Sequence, residues 1–425
     1  MAQQDHPPMA LAGLKVLDLS RILAGPSATQ LFADLGADVV KVENPDGGDD
    51  TRRWGPPFTR RADGGRGDAA YFSACNRNKR SITVDFASMA GADLLRDLAA
   101  KADIIVENFR PGGLQKYGLD YASIAAVNPR IIYCSITGFG QTGPYAHRPG
   151  YDFLIQGMGG LMSITGQPDG SPGAGPIKVG VAVCDLFTGL YAANAALAAL
   201  AYRDRTGEGQ HIDCALLDSQ IAMLANQSAN WLNAEFCPTR MGNSHPSVVP
   251  YTVYKAADGF VIVACGNDKQ FIRLTAALGV PHLADRAEFA TNEVRIENRD
   301  ALDAELGNAV AAWDRQTVIT MLEKAGVSCG PINDISEVFD DAHVQARGMR
   351  IDQHRSDNSL ISTTAFPAKL SATPARYDSA PPLLGEHNDD VLKDWAGLSD
   401  AAIAALRAAG AIGLSAKLVL HRPEN

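Results

Sequence analysis

The chain has 425 residues, 46% of them hydrophobic and 20% charged, enough apolar content for a large core and enough length for two or three domains, which excludes a disordered or fibrous protein. A net charge of −10, with no basic run longer than Thr59-Arg60-Arg61 and its neighbours, argues against nucleic-acid binding, so an anionic ligand must be held by a local cluster of cations. Seven cysteines without a CxxC pair predict a reduced, cytoplasmic chain, and the lack of any apolar run approaching about 18 residues predicts no membrane span.

In chain order, the strand candidates are KVLDLS (15–20), DVVKVE (38–43), SITVDF (81–86), DIIVENF (103–109) and RIIYCSI (130–136). Between them ASMAGADLLRDLAAKA (87–102) and LDYASIAAVNP (119–129) space their apolar residues for helices. This alternation predicts an α/β fold with a mostly parallel sheet. A long Ala/Leu helix is expected after Asp185, stopped by the glycines of Gly207-Glu208-Gly209, followed by one strand and one helix over 210–232. Composition then shifts to Pro, Gly and Ser across 236–251, and a hairpin turning at Asp258-Gly259 opens a smaller α+β domain with helices near 268–278, 299–312 and 315–325. The tail from Pro381 predicts a loop and two helices. The expected domains are 1–225, 226–340 with linkers, and 341–425 returning to the first.

The turn after the first strand poses a question. A dinucleotide fingerprint wants glycine at 23, 25 and 28, and the chain has Leu23, Gly25 and Ala28. Ala24-Gly25-Pro26 also reads as a plain strand-to-helix turn opened by proline. The unit is built like a nucleotide domain but not fitted for NAD.

AGPSATQ, LGADVVKVE, GDDTRRWGP, NRNKRSITVDF, ADIIVENFRPG, NPRIIYCSITGFGQTGPY, PGYDF and PPLLGEH, in this order, resemble the class III (CaiB/BaiF-type) CoA-transferase family, from Leu14 to about Leu414. PGYDFLIQGMGGLMSITG, MGNSHPSVVPY and EFATNEVRIENR are most similar to its succinyl-CoA:glutarate (hydroxymethylglutarate) branch. The resemblance implies a Rossmann-like large domain built from both chain ends, a small domain between, and ring-shaped subunits interlocked in a homodimer. It implies acyl-CoA and carboxylic acid substrates, with no permanently bound cofactor and no metal; the nine histidines indeed show no ligand spacing.

Asp185, at the junction of a strand-like run and the long helix, aligns with the family's nucleophile in a D-x-x-TG setting. A helix N-terminus favours a carboxylate, although aspartate there is also a common cap with no further role. Tyr151 stands where the related racemases carry histidine; tyrosine ordinarily titrates near 10 and is a poor base at neutral pH, which disfavours racemisation. It is either a packing aromatic or a neighbour of bound CoA.

By resemblance, CoA contacts Leu23, Ala24, Val84, Asp85, Asn108, Phe109, Arg110 and Lys116. The formyl-CoA branch has basic residues at positions that are Asn44 and Ala87 here, which shifts phosphate contacts toward Lys79, Arg80 or Arg110. The small-domain loop with Asn243, Ser244 and His245 is expected to hold the acyl group, with Arg52 and Arg53 as alternatives. Competing readings are an acyl-CoA racemase, a crotonobetaine-type transferase, and a non-catalytic CoA- or NAD-binding module.

Overall fold

The computed structural model describes residues 9–414. Six parallel strands, β1 (Lys15–Asp18), β2 (Asp38–Glu43), β3 (Lys79–Thr83), β4 (Ile104–Glu107), β5 (Ile132–Thr137) and β6 (Gln210–Ala215), form one sheet in the order β3-β2-β1-β4-β5-β6. Its strand order reverses between β1 and β4, the arrangement that leaves a crevice at the carboxyl ends of those strands. The central strands β1, β2, β4 and β5 are buried along nearly their whole length because both faces are covered. One face packs Val16, Val39, Ile104 and Ile132 under helices, and the other buries Leu17, Val40, Ile105 and Tyr133.

Helices α1 (Ala24–Asp34), α2 (Met89–Ala99), α3 (Tyr121–Val127), α4 (Asp152–Met158) and α5 (Val183–Thr206) follow. Their caps are local: Ser88 accepts from Gly91 N–H, Asp120 from Ser123 N–H, and Gly207, left-handed at φ 82°, ends α5. Among the described residues only α5 is long and apolar enough to cross a membrane. It instead buries a stripe, Thr188, Gly189, Ala192, Ala193, Ala196, Ala199 and Leu200, at helical spacing against α1 and the sheet.

The chain divides into two compact units, a large one of residues up to Leu161, Lys178–Glu235 and the chain from Gln345, and a small one of Met162–Ile177 and Phe236–Val344. The small unit has a three-stranded antiparallel sheet of Tyr251–Ala256, Gly259–Ala264 and Ser328–Pro331, with its own core around Phe271, Leu274, Leu302, Leu306 and Leu322. In the large unit the residues from Gln345 return to the edge strand β3: His387 N–H donates to Ser81 C=O at 2.9 Å, and Thr83 N–H donates to Asn388 Oδ1 at 2.7 Å.

Several elements differ from expectation. The expected strand at 81–86 begins two residues earlier and stops at Thr83, because Asp85 N–H is taken by Ala411 C=O at 2.9 Å. The single helix expected after β6 is two, Leu216–Met223 and Asn226–Ala234, broken where Ala225 adopts φ 47°. The hairpin turns at Ala257-Asp258, one residue early. The run before Asp185 is not a strand; α5 already starts at Val183. The segment Met162–Ile177, expected in the large domain, belongs to the small unit.

Candidate active site

The turn from β1 into α1 is strained. Ile22 has φ 72°, and a β-branched residue in the left-handed region costs about 1–3 kcal/mol. Its N–H donates to the Asp49 carboxylate at 3.2 Å. Lys41 Nζ holds that carboxylate at 2.9 Å and donates to Ser20 C=O at 3.0 Å. Burial pushes the Asp49 carboxyl up, but Lys41 and Thr51 outweigh it and hold it at about 2. Gly25 explains the lone glycine: a Cβ there would collide with the Ser20 side chain, so the residue serves close packing of α1 onto the strand end.

Two further glycine contacts place the remaining walls. A Cβ on Gly189 of α5 would lie 2.6 Å from Ala24 C=O, so α5 crosses tightly over the first turn of α1. Asp185, one turn earlier at the head of the same stripe, is thereby set beside Leu23 and Ala24. A Cβ on Gly138 would lie 2.5 Å from Gly150 Cα. This backbone-to-backbone approach brings Tyr151, the residue preceding α4, to the end of β5.

Asp152 links α4 to α5. One of its oxygens accepts Cys184 N–H at 2.8 Å and the other accepts Gln156 Nε2 at 2.7 Å, while Gln156 Oε1 accepts Val179 N–H at 2.8 Å. A carboxylate from 32 positions away thus satisfies a free N–H at the start of α5. It also acts on its neighbour. Burial, and then the charge of Asp152, push the Asp185 carboxyl up to about 7. The helix terminus was expected to favour the ionised form of Asp185; burial and the Asp152 charge work against it.

These elements enclose a cavity of about 460 Å³ at the strand-order reversal. It brings together Leu23, Ala24, Asn108, Phe109, Arg110, Tyr151 and Asp185, with Arg21, Ile22, Gly138, Arg148 and Leu216, which the sequence had not singled out. Asn108 clasps the turn, accepting Arg21 N–H at 2.9 Å and donating to Arg21 C=O at 2.7 Å. Glu107 fixes Phe109, accepting its N–H at 2.7 Å, and its own burial raises its carboxyl to about 7. A second cavity of about 190 Å³ shares Arg21 and Phe109 and adds Lys41, Asn44, Asp49 and Phe86.

Other expected residues lie elsewhere. Val84 is buried in the core, Asp85 caps Ala87 N–H, and Lys116 rests over the Tyr117 ring at 4.6 Å; none lines either cavity. From the 84–86 stretch it is Phe86 that reaches the cleft, edge-on to Phe109 at 5.6 Å. Lys79 is no phosphate ligand: it is buried among Asp18, Pro26 C=O and Asn76 at 3.1, 2.8 and 2.9 Å. Arg80 pairs with Asp38 and Asp394, and Arg52 is buried against Glu43 at 2.7 Å. Arg53 is exposed and pairs with Asp50 at 3.5 Å. Asn243, Ser244 and His245 belong to the small unit, where His245 Nδ1 accepts Ser247 N–H at 3.0 Å and its ring tilts against Tyr251 at 5.1 Å. Among the described residues no group of three or more His, Cys, Asp or Glu could hold a metal. The cavity's charged donors are guanidinium groups, suited to phosphates and carboxylates.

The coupling of the two aspartates is testable. Asp152→Asn keeps an acceptor for Cys184 N–H but removes the neighbouring charge, so the Asp185 pKa falls. If ionised Asp185 is the working form, the acid limb of the kcat/KM profile moves to lower pH, and activity near pH 6 rises relative to the plateau by severalfold. A profile that stays at the wild-type position would show the carboxylates to be uncoupled.

Residues 11–388 match the model of CoA-transferase family III. The chain is 51% identical over 384 residues, 90% of its length and 95% of the relative's, to a succinate–glutarate CoA-transferase of Agrobacterium fabrum. It is 40% identical over 402 residues, 95% of its length and 90% of the relative's, to the human succinyl-CoA:glutarate CoA-transferase. A crystal structure of a CaiB/BaiF family protein from Brucella suis superposes with a TM-score of 0.82 at 51% identity, covering 92% of this chain and all of that one.

Proposed function

Because the chain belongs to CoA-transferase family III, we propose that it moves CoA from succinyl-CoA to a short dicarboxylic acid, with Asp185 as the nucleophile. The observation that carries this reading is the position of Asp185, at the head of a buried helix stripe, inside a cavity whose charged donors are arginines. The ionised Asp185 attacks the donor thioester carbonyl, forming an aspartyl anhydride and expelling CoA thiolate. The thiolate then attacks the aspartyl carbonyl, giving an aspartyl-CoA thioester and releasing succinate. The acceptor carboxylate repeats the two steps in reverse, and Asp185 is regenerated as carboxylate. No net proton moves, which suits a site without a dedicated base.

The lone glycine of the first turn fits this ligand. CoA passes beside Leu23 and Ala24, the reactive sulfur toward Asp185 and the adenine against the Phe86 and Phe109 pair at the second cavity. Val84, Asp85 and Lys116 are left with an indirect part.

The subunits are interlocked as a homodimer. Support comes from the outer face of α5, which leaves Phe187, Leu190, Tyr191, Leu197 and Tyr202 exposed, and from Phe153, Leu154 and Met158 of α4. The enzyme is cytoplasmic and keeps no cofactor between turnovers. Incubation with succinyl-CoA and a panel of acids, followed by mass spectrometry of the CoA esters, tests the reaction. New acyl-CoA in step with succinate release is expected. Deuterium entering at Cα without CoA exchange would instead establish a racemase.

A further inference from the structure

The cavity around Asp185 holds three guanidinium groups, and they stand on different walls. Arg21 follows β1, pairs with Asp50 at 3.2 Å, and lies over Phe109 at 5.6 Å. Arg110 stands on the loop after β4. This is the side on which the first cavity shares Arg21 and Phe109 with the second, so it is the nucleotide side. Arg148 follows β5 and, of these two cavities, lines the first. Among the described residues it forms no ion pair. Its guanidinium is held over the rings of Tyr145 and Phe139, 4.7 and 5.3 Å from their centroids.

A cation fixed on two aromatic faces, partly buried and lacking an acidic partner, is preorganised for an anion that arrives with the substrate. A dicarboxylic substrate brings such an anion. One of its carboxylates loses its charge when acylated. The other stays ionised throughout, in a cavity whose own acids, Asp185 and the nearby Asp152, repel it. A monocarboxylic acid has no such group and leaves the guanidinium unpaired.

We propose that Arg148 binds the distal carboxylate of the dicarboxylic acyl group and selects dicarboxylic over monocarboxylic acids. This rests on the CoA-transferase reading above and extends it. Donor and acceptor acyl groups occupy the same place in turn, so one clamp serves both half-reactions: it holds the succinyl group while CoA leaves and the acceptor while CoA returns.

The test compares glutarate with butyrate as acceptors from succinyl-CoA, together with the affinity for free CoA. Arg148→Met keeps the length of the stem between the two rings and removes the charge. The ratio of kcat/KM for glutarate over butyrate is expected to fall on the order of 10²-fold, with CoA affinity unchanged. Arg148→Lys keeps the charge but loses the bidentate fork, and is expected to raise the KM for glutarate severalfold at unchanged CoA affinity. If CoA affinity falls in either variant while the acceptor ratio holds, the residue is a phosphate contact and the proposal is overturned. An unchanged KM for glutarate in Arg148→Lys overturns it too, whatever the fate of the methionine variant. Wild-type enzyme that transfers CoA equally well to both acids sinks the clamp alone, whereas wild type that transfers to no acid sinks the parent reading and the clamp with it.

Discussion

Replacing Asp185 with asparagine is expected to lower CoA transfer by about four orders of magnitude or more, the usual consequence of deleting a covalent nucleophile. Asparagine preserves the shape of the α5 terminus but cannot form an anhydride. Mass spectrometry of wild type quenched during turnover should find a CoA adduct on Asp185, and none on the variant. A variant retaining a tenth of wild-type transfer would end the assignment.

The same substitution should leave the fold intact, and the pKa of Asp185 gives the sign of its effect on stability. The folded value of about 7 lies above the ordinary aspartate value of 3.8, so the native state holds more protons than the unfolded chain between those limits. The contribution of Asp185 to stability therefore declines as pH rises from about 4 to 7 and is flat beyond. Asparagine carries no such penalty. Thermal melts should show the variant at or above wild type at pH 8, with the gap closing toward pH 4.

Gly189→Ala is expected to cost about 10²-fold in kcat, because small displacements of a reacting group have effects of that size. The added methyl would lie 2.6 Å from Ala24 C=O. One helix must therefore back away from the other, at an overpacking cost of about 1–3 kcal/mol. Asp185, one turn away, moves with α5, while the arginines and Phe109 stay with their strands. Affinity for free CoA should thus change far less than kcat. Asp204→Ala, at an exposed position near the far end of the same helix, is the control and should leave turnover unchanged. A Gly189→Ala enzyme with wild-type kcat would show that the α1–α5 contact does not position the nucleophile.

How much of this was legible in the sequence depended on distance along the chain. The five expected sheet strands of the large unit could be read because each is a short run buried on both faces, and Gly207 could be read as a stop because left-handed caps favour glycine. Asp185 was legible through its motif. Its protonation state was not, since that is decided by Asp152, which no local pattern connects to it. Lys79 looked like a free cation because Asp18, its buried partner, lies 61 positions away. Arg148 was overlooked because an arginine in a Pro/Gly loop resembles any solvated charge until Phe139 and Tyr145 are seen beneath it. Ile22 gave no signal at all, since nothing in its neighbours announces a left-handed isoleucine.

The return of the C-terminal segment to β3 bears on how the protein is made. The exposed edge of the parallel sheet finds partners in Ser379, His387, Asn388 and Ala411, residues that leave the ribosome only after the whole small unit has been synthesised. Until then the nascent sheet presents unpaired backbone groups, a template for association with other chains. Truncations before about residue 390 should therefore accumulate as aggregates instead of soluble fragments, and expression of the full chain should benefit from slower translation or added chaperone.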